Sequence, residues 1–128
     1  MKHLADVNLL VALVHPGHSH HARASFWYAS LPSRSTVLTC SITELGFLRA
    51  LINSKVLADV PTAQMTLSAL KSSGRFDFLP DDLSADVMPA YVKTARDTTD
   101  GHLLALAKRH GAKFTTFDTG IIGADLVR

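Results

Sequence analysis

Apolar residues follow two rhythms along this chain. Short β-branched or apolar runs at Met1–Ala5, Thr36–Cys40 (TVLTC), Arg75–Leu79 and Ala112–Phe117 read as strands, with a shorter one near Asp125–Val127. Between them, apolar spacings of three and four predict helices over Val7–Val14, His18–Ser30, Ser41–Asn53, Pro61 to Ser73, Asp82–Lys93 and Asp97–His110. The punctuation agrees with these limits. His15-Pro16-Gly17 stops the first helix and Leu31-Pro32 the second, Pro61 suits a first helical turn, and Gly74 and Gly111 follow helix ends. Ser41-Ile42-Thr43-Glu44 has the form of a capping box. Strands alternating with helices predict an α/β fold of three layers, its central, mainly parallel sheet of four to five strands covered on both faces. Residues 1–128 are expected to form a single domain, with any ligand in the crevice at the carboxyl ends of the strands.

The helical rhythm also carries the first chemical signal. Asp6 is followed by Leu9, Leu10 and Leu13; Glu44 by Phe47, Leu48 and Leu51; Asp100 by Leu103, Leu104 and Ala107. Each acid therefore lies on the apolar stripe of its own helix, at the first turn, where free amides and the helix dipole favour a negative charge. Arg109 and His102 fall on the opposite side of the last of these helices. Asp118, a fourth acid, ends the strand Phe114-Thr115-Thr116-Phe117, and Thr116 shares its side of that strand, within reach of a neighbouring carboxylate. Carboxylates converging on one mouth repel unless a cation compensates, and all-oxygen donors suit Mg²⁺, with Mn²⁺ as its substitute. Each acid also has a plainer role. Asp6 and Glu44 suit helix caps, Asp97 with Asp100 another, and Asp118 a turn.

Composition narrows the class. The hydrophobic fraction is 47% and the charged fraction 19%, enough apolar surface for a core and too much for a disordered chain. Cys40, the only cysteine, excludes an internal disulfide and a thiolate zinc site. No apolar run is long enough to span a membrane, and Asp6 and Asn8 interrupt any signal-peptide core, so a cytoplasmic protein is expected. Net charge is +2, yet Glu44 is the only Glu among eleven acids. With four acids assigned to one site, thirteen bases face seven remaining acids, a balance that suits a polyanion.

Leu4-Ala5-Asp6-Val7-Asn8 after the first strand and Thr43-Glu44-Leu45 after the second resemble the opening of a PIN domain. Thr99-Asp100-Gly101-His102-Leu103-Leu104-Ala105-Leu106-Ala107, then Gly111 and Thr116-Phe117-Asp118, resemble its closing half. Within that family the chain is most similar to VapC-type toxins of bacterial toxin–antitoxin pairs, over nearly its whole length. The resemblance implies a PIN-like fold and a Mg²⁺-dependent endoribonuclease acting on RNA of the tRNA or rRNA class. It implies catalytic acids at Asp6, Glu44, Asp100 and Asp118. Asp6 and Asp100 would be the principal metal ligands, Asp118 and Glu44 further ligands, and Asn8 and Thr116 supporting residues. It further implies a small VapB-like antitoxin partner, in a homodimer or a toxin–antitoxin hetero-oligomer, and no membrane. The chain departs from many relatives in carrying Ile121 three residues after Asp118, where they have an aromatic.

Other groups compete for attention. His15, His18, His20 and His21 cluster, but their spacing gives no helical pair one turn apart, and a polar loop is the plainer reading. Phe26-Trp27-Tyr28 point three ways on a helix, which favours packing over base stacking. Phe26, Trp27, Leu45 and Ile52 are candidates for an apolar groove that holds an antitoxin helix. Arg96, Lys108, Arg109 and Lys113 flank the acidic segments and suit phosphate contacts or a solvated surface. Two rivals remain: a receiver-like signalling domain, which wants paired acids after the first strand and a Lys at a later strand end, and a non-catalytic acidic binding module.

Overall fold

A computed structural model describes all 128 residues. Five strands, β1 (Lys2–Ala5), β2 (Thr36–Thr39), β3 (Phe76–Phe78), β4 (Lys113–Thr116) and β5 (Asp125–Leu126), form one sheet in the order β3-β2-β1-β4-β5. Every pair is parallel, with Leu4 opposite Leu38 and Phe114, and Thr39 opposite Phe78. This order separates the fold from a receiver domain, in which the third strand, not the fourth, lies beside the first.

Side chains alternate between the two faces of each strand, and two cores result. Ala5 and Val37 face α1 (Val7–Val14), α2 (His21–Ala29), α3 (Ser41–Asn53) and α4 (Val60–Lys71), with Leu9, Leu10 and Phe47 fully buried between them. Leu4, Leu38 and Phe114 face the other way, onto Leu103, Leu106 and Ala107 of α5 (Thr98–Arg109). Burying each of these large side chains contributes about 1.5–3 kcal/mol. Gly111 follows α5 at φ +67°, the left-handed turn that sends the chain into β4.

Three expectations need correction. Asp82–Lys93 is not a helix. It is an irregular strap, succeeded by a single 3-10 turn at Ala95–Asp97 before α5. Pro80 and Pro89 remove backbone donors there, and the two acids at the strap's start are held by histidines of α5 and its cap. Asp81 accepts a hydrogen bond from Nε2 of His102 at 2.9 Å, and Asp82 accepts one from Nε2 of His110 at 2.7 Å. His102 is therefore buried beneath the strap and does not face solvent. Gly101 lets the strap lie close, since a Cβ there would stand 2.4 Å from Cγ2 of Val92. The second helix starts at His21 instead of His18, because the His20 amide turns back onto Nδ1 of His18 at 3.0 Å. Finally, Cys40 caps α3 in place of Ser41. The Thr43 hydroxyl accepts from the Cys40 amide at 3.0 Å, which leaves Glu44 free for another partner.

Candidate active site

β1 ends at Ala5, but the amide of Asp6 still donates to the carbonyl of Thr115 at 2.9 Å, so Asp6 extends the central strand by one residue. It then caps α1. Its Oδ1 accepts from the Val7 amide at 2.8 Å, and Oδ2 accepts from the Thr116 hydroxyl at 2.7 Å. The plain capping role and the coreward placement thus coexist in one residue. At 7% exposure Asp6 is the most enclosed of the candidate acids. Burial raises its pKa; the bonds from Thr116 and Val7 pull it down, and the charge of Asp118 pushes it up again.

Thr116 joins two of the acids. Its hydroxyl donates to Asp6 and accepts from the amide of Asp118 at 3.0 Å. Asp118 itself is exposed, at a turn in which its Oδ1 accepts from the Gly120 amide at 2.8 Å. Asp100 stands in the first turn of α5, partly enclosed. Its pKa is pushed up to about 6, first by burial and then by the charges of Asp6, Asp118 and Asp97. Asp97 occupies the helix-cap position but makes no capping bond; its carboxylate accepts from the Thr94 hydroxyl at 3.2 Å. Asp6, Asp100 and Asp118 therefore feel one another across a single mouth, with Asp97 at its edge.

Glu44 occupies a different electrostatic setting. Its Oε2 accepts from the Thr39 hydroxyl at 2.6 Å and from Nζ of Lys71 at 2.7 Å, so it has a counter-ion already. Asn8 is exposed on α1 and lines a small cleft with His15 and His18, and its side chain makes no bond to the acids. Two residues that sequence reasoning missed complete the surroundings. Lys71 gave no signal beyond a base at a helix end. Tyr91, in the segment read as helix, comes from the strap; its hydroxyl is buried without a partner, and burial and then Asp100, Asp97 and Asp118 raise its pKa.

The donor set fits a hard divalent cation. Like charges raise each other's pKa, and every donor is an oxygen. No three acid, His or Cys side chains stand close enough to cage one ion. The histidines hold no such site. His21 bonds the Ala12 carbonyl at 2.7 Å, and His20 stacks on Phe117 with centroids 4.6 Å apart. Lys108, Arg109 and Lys113 lie away from the mouth. Arg109 ends α5, about 13 Å along the helix from Asp100, and Lys113 begins β4 at the opposite edge of the sheet. Trp27 packs edge-on against His3, and Tyr28 stacks on Phe76, whereas Phe26 is 73% and Leu45 53% exposed. Ile52 is half-buried. No helix is long and apolar enough to cross a membrane.

The PIN domain family model matches residues 4–125. Ribonuclease VapC38 of Mycobacterium tuberculosis is 42% identical over 123 residues, 92% of this chain and 86% of the relative. Ribonuclease VapC39 of the same species is 38% identical over 128 residues, covering 94% and 91%. Among solved structures, M. tuberculosis VapC20, described as a sarcin-ricin loop cleaving toxin, superposes with a TM-score of 0.68 at 15% identity, covering 94% of this chain and 92% of that one. VapBC2 from Rickettsia felis, bound to a promoter DNA fragment, gives 0.64 at 14%, covering 98% and 97%. At those identities the structures speak for the fold.

Proposed function

We propose that this chain, which belongs to the PIN-domain family and within it to the VapC ribonucleases, cuts RNA with a divalent metal held at Asp6 and Asp100. The observation that carries the reading is the joining of Asp6 and Asp118 through the Thr116 hydroxyl at the carboxyl end of the sheet, with the pKa of Asp100 pushed up to about 6 by burial and then by Asp6, Asp118 and Asp97. PIN nucleases depend on divalent metals, and Mg²⁺ is the ion we assign. When bound, such an ion stabilises charge on the scissile phosphate and brings an attacking water within range at neutral pH. Asp6 is fixed for its part by two hydrogen bonds that orient both carboxylate oxygens. Thr116 sets the spacing of Asp6 and Asp118 through one hydroxyl. Glu44, held by Thr39 and Lys71, is placed to orient water or phosphate at the flank of the mouth.

We further propose a cytoplasmic toxin restrained by a small VapB-like antitoxin, with exposed Phe26 and Leu45 as the first anchors to examine. The substrate is assigned to the tRNA or rRNA class. Sequencing RNA ends after induced expression tests this directly. The unchanged chain should leave new, defined 5′ ends that disappear in Asp6→Asn and Asp118→Asn. Identical ends from all three proteins would sink the assignment of the site.

A further inference from the structure

A partly exposed aromatic, flanked by a lysine, stands on the same sheet edge as the acids. Phe78 ends the outermost strand, opposite Thr39, and is 44% exposed. Phe76, two residues earlier on the same face, is sheltered by stacking with Tyr28 at 6.0 Å, so the strand has cover for one ring and leaves the next open. The Lys71 ammonium lies 5.2 Å from the centroid of Phe78 and 2.7 Å from Oε2 of Glu44, which links the ring to the flank of the mouth. An ammonium has three donors, and Glu44 takes one. Phe78 lies two strands from β1, a lateral offset of about 10 Å.

We propose that Phe78 and Lys71 form a nucleotide subsite: a base flanking the scissile phosphate stacks on the Phe78 ring, and Lys71 meets a phosphate of the same strand. A flat aromatic beside a cation is the pairing by which proteins hold single-stranded nucleic acid without reading its sequence. The subsite deepens the nuclease assignment and rests on it.

The test uses Asp100→Asn as a non-cleaving parent and a fluorescein-labelled, mixed-sequence single-stranded RNA of ~10 nucleotides, followed by anisotropy in Mg²⁺. Phe78→Ala and Phe78→Leu should each weaken binding roughly ten-fold, while Phe78→Trp binds at least as tightly as the parent. Lys71→Met should lower the slope of log affinity against log salt by about 0.7, the value for one phosphate on a single strand, and Lys71→Arg should restore it. In the active protein, Phe78→Ala should raise KM with kcat nearly unchanged. Parent-like binding by Phe78→Ala and Phe78→Leu, with melting temperatures preserved, overturns the subsite and leaves the nuclease standing. No RNA binding by the parent and no cleavage by the unchanged protein overturn the nuclease assignment instead.

Discussion

Asp100→Asn removes the carboxylate whose pKa is pushed up to about 6, by burial first and then by Asp6, Asp118 and Asp97. In the unfolded chain the same group titrates near ~3.9. Between those values the native state binds more protons than the unfolded one, so stability falls as pH rises. The protonated group's advantage is complete below about pH 4 and lost above about pH 6. A shift of roughly two units corresponds to about 3 kcal/mol, and water at a half-open site screens that to about 1–2 kcal/mol. Asparagine keeps the shape and drops the charge. In EDTA at pH 7.5 the variant should gain about 1–2 kcal/mol, a rise in Tm of about 3–8 °C. The gain should vanish near pH 4, where the native carboxyl is neutral too. With Mn²⁺ present at neutral pH the order should reverse, because an ion at a hundred times its Kd stabilises the native state by about 2.7 kcal/mol and the variant has lost a ligand. Protons compete for the same oxygens, so that metal effect should fade below about pH 6. Urea titrations at three pH values, with EDTA and with Mn²⁺, measure all of this. Equal stability of the two proteins at pH 7.5 in EDTA, together with an equal response to Mn²⁺, would refute the shared acidic mouth.

Thr116→Val should cost about 1–3 kcal/mol at neutral pH, since it strips a 2.7 Å hydrogen bond from a buried carboxylate; urea unfolding checks it, and a loss that does not shrink in acid would contradict the link to Asp6. Gly101→Ala gains about 1 kcal/mol of helix propensity but places a methyl 2.4 Å from a stiff Val92 side chain. Overpacking of that kind costs about 1–3 kcal/mol. The expected result is a less stable protein with faster amide exchange across residues 82–94, and a stabilised variant with unchanged exchange would show that the strap does not press on α5.

The fold was legible wherever one periodicity ran without interruption. All five strands and the helices α1, α3, α4 and α5 lie where the apolar spacing places them, within a residue or two at the ends. The strap failed for a specific reason. Asp82–Lys93 has enough apolar residues to mimic a helix, but its structure is decided by contacts with residues at separations of 21 and 28, His102 and His110, which no local window contains. The same contacts misplaced His102. Its position on α5 points it away from Leu103, and only the strap lying over that side makes the position interior.

Helical phase shows which face of a helix an acid occupies and leaves open which neighbours that face meets. Asp6, Glu44 and Asp100 share one offset pattern, yet strand order divides them. β1 is the middle strand, so Asp6 has β2 on one side and β4 on the other and takes the deepest burial. Asp118, at the end of β4, reaches it through Thr116, and Asp100 from the helix packed on β4 and β1 faces both. Glu44 arrives from β2, where α4 supplies Lys71 from 27 residues away. Asp6, Asp100 and Asp118 are thus left without a protein cation, Arg96 standing 4.0 Å from Asp97 alone at the mouth's edge, and Glu44 on the β2 side is given one. A chain that folded only for stability would gain by neutralising the buried member first, since an uncompensated charge costs most where water is least able to screen it. Here the lysine goes to Glu44 and the buried Asp6 receives neutral donors alone, Thr116 and the Val7 amide. On the proposed reading, that inversion leaves a carboxylate without a protein counter-ion at the most enclosed point of the sheet edge, open to the cation that the proposed cut of a phosphodiester would use.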